Sequence, residues 1–104
     1  MTDDAVPPEV ELDFRTPDEL WSGVYANAVS IWHSPYEFTL DWAVAGPVEI
    51  DDPDDPASLL RVRAIVVTRV RIPVGLVFDV LQGLSQVMTD YERLYGEIRR
   101  PGEG

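Results

Sequence analysis

His33 is the only histidine in the chain, and an imidazole is the side chain whose ordinary pKa suits proton transfer or metal ligation near neutrality. It stands in HSPYE, at a Ser-Pro turn, with no second His and no Cys anywhere to complete a metal set or a nucleophilic pair. A structural role is the simpler reading, with His33 closing the turn through Ser34 or Glu37. Asn27 is the odd polar residue in a β-rich run, VYANAVSIWH, where Asn is disfavoured. It is there either to be presented for recognition or to bond backbone at a bulge or sheet edge, and the second is preferred. Glu37 and Asp41 are four positions apart on one strand, about 13 Å by strand rise, which is too far for a paired-carboxylate glycosidase site. Cross-strand pairing with Arg61, Arg63, Arg69 or Arg71 accounts for them. The Asp-rich stretch DDPDDP lacks the spacing, the turn Gly and the closing Glu of a calcium loop. Serine-nucleophile motifs, phosphate-cradling loops and dinucleotide fingerprints are missing. The expectation is a protein that is not an enzyme, with no cofactor and no metal.

Charge narrows the partners. The chain of 104 residues carries 19 acidic and 8 basic residues, a net charge of −11, and every basic residue is Arg. Such a balance repels phosphate backbones and anionic lipid, so neither nucleic acid nor membrane is expected as a partner. Half of the positive charge is concentrated at Arg61, Arg63, Arg69 and Arg71. The N-terminus, MTDDAVPPEVELDF, lacks the basic start and apolar run of an export signal, and no apolar run approaches the roughly 20 residues that span a bilayer. Together with the missing Cys, this points to the cytoplasm.

The elements that must position these residues follow from periodicity. Residues 1–17 read as a disordered acidic arm. A first strand runs from Val24 to His33, and EFTLDWAVA continues after the turn with Phe38, Leu40, Trp42 and Val44 on one face. The Pro- and Asp-rich residues 47–58 read as a mobile loop. A third strand over residues 60–72 places Leu60, Val62, Ala64, Val66, Val70 and Ile72 on one face and the four Arg on the other. From Pro73 to Tyr95, apolar residues recur at spacings of three and four, the signature of an amphipathic helix wide enough to touch more than one neighbour. Gly75 and Gly83 within it permit close approach of another backbone. Residues 98–104 form a flexible tail. Strand, strand, strand, helix predicts a single α+β domain over residues 18–97: a three-stranded antiparallel sheet covered by one long C-terminal helix. Chains this short bury only about 60 to 65% of their extended surface, and an open sheet edge invites pairing. A homo-oligomer is therefore expected, a dimer first.

The run Gly23 to Trp42, with Tyr25-Ala26-Asn27, His33-Ser34-Pro35, Glu37-Phe38, Leu40 and Asp41-Trp42, resembles the signature of a family of short bacterial and archaeal proteins known as domain of unknown function three-four-six-seven. The likeness extends over residues 23–95, through the Arg-bearing strand to a helix ending near Tyr91-Glu92. It implies an α+β fold and brings no activity, cofactor or catalytic residue. Trp42 stands where the family usually shows Phe. The sheet-plus-helix order also resembles SecB-like export chaperones. These readings predict a small protein-binding or adaptor module, or alternatively a holdase for unfolded segments. The candidate partner-binding residues are Asn27, Trp32, His33 and Tyr36, with Trp21 another aromatic expected at the surface.

Overall fold

The computed structural model describes residues 10–50, 52–57 and 60–100. The first nine residues of the acidic arm, the last four of the tail, residues 51 and 58 of the predicted loop, and residue 59 lie outside the described residues. Strands β1 (Ala28–His33), β2 (Glu37–Ile50) and β3 (Leu60–Pro73) form one antiparallel sheet in that order, and helix α1 (Val77–Tyr95) follows. This is the α+β chain expected from the pattern. A 3-10 turn, Asp18–Leu20, precedes β1, and a second one, Val74–Leu76, joins β3 to α1. Pro73 therefore closes β3 rather than opening the helix, and its fixed φ of −59° suits the entry to the 3-10 turn. No helix among the described residues is long and apolar enough to cross a membrane.

The turn between β1 and β2 is built by Ser34. Its N–H donates to the Glu37 carbonyl at 2.9 Å, and its hydroxyl accepts the N–H groups of Tyr36 and Glu37 at 3.2 and 3.3 Å. His33 takes no part in that closure; its ring lies tilted against Phe38, centroids 6.0 Å apart.

Two bulges change what the alternation predicts. Trp42 is opposite Thr68 and Ala43 is opposite Val66, so Val67 is an extra residue in β3. Because side chains alternate with a period of two, one extra residue sends everything beyond it to the other face. Arg69 and Arg71 keep the face of Asp41 and Thr39. Arg61 and Arg63 move to the face of Val44 and Ile65, where Arg63 lines a shallow pocket with Glu49. The single Arg-bearing face expected for β3 is thus divided in two. The second bulge lies in β2 between Ala45 and Val48 and contains Gly46 and Pro47. Pro cannot donate to a sheet ladder, and a bulge is where its missing N–H does least harm. Residues 47–50 are consequently strand, and the β2–β3 connection is shorter than the predicted loop. β1 pairs only as far as Ala43, so residues 44–50 and 60–65 continue as a two-stranded arm.

The helix does not lie down on the sheet. None of its residues is buried. Among the described residues Ala43 and Ile72 are the buried apolar side chains, and Thr39 and Asp41, on the polar face of β2, are buried as well. The molecule measures 77 × 37 × 32 Å with a radius of gyration of 20.4 Å, against about 13 Å for a compact domain of this length.

Candidate functional site

The polar face of the sheet is organised around Asp41. Arg69 is its cross-strand partner in the register and grips it with two bonds, Nε to Oδ1 at 2.6 Å and Nη2 to Oδ2 at 3.0 Å. On the other side Trp32, diagonal to Asp41 across the β1–β2 pair, donates its indole N–H to Oδ2 at 3.1 Å. The Arg69 guanidinium also lies over the Trp32 ring, 5.6 Å from its centroid. These bonds favour the charged carboxylate. The Arg69 hydrogen bond, then that of Trp32, hold the Asp41 pKa below its ordinary value, and the same contact with Asp41 raises that of Arg69. Beside them Arg71 reaches Glu37 at 3.7 Å. Both carboxylates that the sequence offered for chemistry are engaged by strand β3.

Asn27 precedes β1 and extends its pairing. Its N–H donates to the Ala43 carbonyl at 3.0 Å, and its side-chain oxygen accepts the Ala45 N–H at 2.7 Å, beside the β2 bulge. Its depletion-prone position in a β-rich run is thus explained by backbone bonding. The Asp-rich loop is similarly local: Asp52 Oδ1 accepts the Asp54 N–H and Asp55 Oδ1 accepts the Ala57 N–H, two Asx turns. Among the described residues no three His, Cys, Asp or Glu side chains cluster to hold a metal ion.

The four candidate partner-binding residues do not converge. Trp32 faces the Asp41 side. His33, next in the strand, faces the opposite side with Phe38. Tyr36 is 85% exposed at the hairpin turn. Asn27 is at the other end of β1, about 20 Å away by strand rise.

A feature that residue types alone did not locate is on the opposite face. Val29, Ile31, Phe38, Leu40, Trp42 and Ile72 form a floor, and Val77, Val80, Leu81 and Leu84 from the first turns of α1 form a wall. Between them lies a groove of about 350 Å³, open to solvent and lined by apolar side chains. Floor and wall are cut from the two patterns seen in the sequence, period two on the strands and period 3.6 on the helix. Their failure to close on each other was not visible there. The helix stripe continues past the groove through Met88, Tyr91 and Tyr95, with the Tyr91 and Tyr95 rings tilted against each other, centroids 4.9 Å apart.

No curated protein and no solved structure matches the chain. The model of one family, described as protein of unknown function (DUF3467), matches residues 2–100, and the chain belongs to that family.

Proposed function

We propose that this chain is a non-enzymatic protein-binding module that works in the cytoplasm as a homo-oligomer, a dimer first. The carrying observation is the groove: ten apolar side chains arranged as floor and wall, with no other of the described residues between them. Covering apolar surface of that kind is favourable, and contiguous exposed patches mark interaction sites, protein–protein interfaces among them. The polar residues add support, because Asp41, Glu37 and Asn27 bond to the fold itself rather than facing a shared cavity. With self-association occupying the groove face, the hairpin tip with Tyr36 remains as the surface for a second protein. Affinity capture from native lysate, run in parallel with wild type and Tyr36→Ala, tests that role. A protein retained in stoichiometric amount by wild type and lost from the variant is expected; recovery unchanged by the substitution, or no retained protein, contradicts it.

The same open groove favours one second reading, a holdase that shelters unfolded apolar segments. That reading requires suppression of aggregation of chemically unfolded model substrates without sequence preference. A groove already occupied by another copy leaves their aggregation unchanged.

A further inference from the structure

The groove is half a packing arrangement, and the chain carries the other half. The stripe on α1 comprises Val77, Val80, Leu81 and Leu84 over the sheet, then Met88, Tyr91 and Tyr95 beyond it; Asp79, Asp90 and Arg93 are on the opposite side of the helix, the last two ion-paired at 2.7 Å. The helical segment from Met88 to Tyr95 is about 11 Å long. The groove floor on β2, from Phe38 to Trp42, is about 14 Å long. The helical segment is the shorter by about 3 Å and fits within the length of the floor. The exposed area also allows a shared interface: the chain exposes 9735 Å², where a compact monomer of 11.7 kDa exposes about 5,900 Å². The excess, about 3,800 Å² per chain, is more than the roughly 1,000–2,500 Å² per partner that obligate homodimers bury, so a shared interface is available even with the exposed residues 10–17 contributing part of it.

We propose that the groove of each chain is filled by the C-terminal half of α1 from a second copy, with Met88, Tyr91 and Tyr95 entering over Ile31, Leu40 and Trp42. Two chains then close reciprocally about a twofold axis, the two helices antiparallel, each covering the half of the other that its own helix leaves open. This rests on the self-association proposed above and specifies its occupant and direction.

The test replaces Tyr91, and in a separate chain Tyr95, by the photocrosslinker benzoylphenylalanine, a large aromatic that keeps the stripe apolar. Each is mixed with unlabelled and ¹⁵N-labelled wild type, irradiated and mapped by mass spectrometry; using two sites leaves one readable where the other disturbs association. The expected product is a covalent pair of one labelled and one unlabelled chain, joined within residues 29–42. A pair joined elsewhere, for example along β3, or links confined to one chain while sedimentation of wild type still shows a dimer, overturns the reciprocal-helix arrangement and leaves self-association standing. A monomeric wild type overturns both.

Discussion

Asp41 accepts two bonds from Arg69 and one from Trp32, and its behaviour with pH follows from that geometry. Its folded pKa lies below the ordinary value of 3.8. The group therefore contributes stability above that ordinary value and loses the contribution as pH falls through its lowered folded pKa. Replacing Asp41 by Asn removes the charge while keeping the shape. Thermal unfolding should show Asp41→Asn melting below wild type at pH 6 to 7, with the two converging below about pH 4 as the wild-type carboxylate is protonated. The difference between the two chains is the quantity to follow, since acid also relieves the repulsion of the other carboxylates in both. A gap that stays constant with pH would show that the bonds to Arg69 and Trp32 do not depend on ionisation. At this scale the sequence was partly legible. Glu37 and Asp41 were readable as partners of the β3 arginines because they alternate on one face. Trp32 and His33 could have been separated by the same rule, since neighbours on a strand point to opposite faces.

At the scale of elements, the strands and the helix follow from periodicities of two and 3.6, and the hairpin turn from Ser34-Pro35. The β3 bulge does not. Val66-Val67 is a pair of apolar residues in a strand that alternates on either side of it, so a one-residue slip leaves a pattern that fits both faces equally well. Only pairing against β2 reveals which. Pro47 concealed the end of β2 in a similar way, because Pro argues against a strand unless a bulge is there to receive it. The helix contains a further test. A Cβ at Gly83 meets nothing within 4 Å. Gly83 is also displaced around the helix from the line through Leu84, Met88 and Tyr91. Gly83→Ala should therefore stabilise by about 0.5–1 kcal/mol through the unfolded chain and helix propensity, read as a raised Tm and increased helicity. Loss of stability instead would place a neighbouring backbone on that flank and move the interface away from the Tyr91 side.

The whole molecule inverts the usual distribution of cover. Its polar face is shielded by Trp32, Arg69 and Arg71, and its apolar face is open along the groove and the helix. The sequence foretold a stripe too wide for one neighbour but not how little of it the described residues cover, because that depends on the angle at which α1 leaves β3. Association of two chains must overcome repulsion, since each carries a net charge of −11. Salt screens that repulsion and leaves apolar packing intact, so dimer affinity should rise between about 10 mM and 150 mM ionic strength. Weakening over the same range would indicate an interface held by opposite charges. The most direct measurement is the mass of the purified full chain by sedimentation equilibrium at micromolar concentration and physiological salt. Covered apolar faces predict a species of twice 11.7 kDa. A stable species of 11.7 kDa, folded and unchanged in mass as concentration rises, would contradict the account.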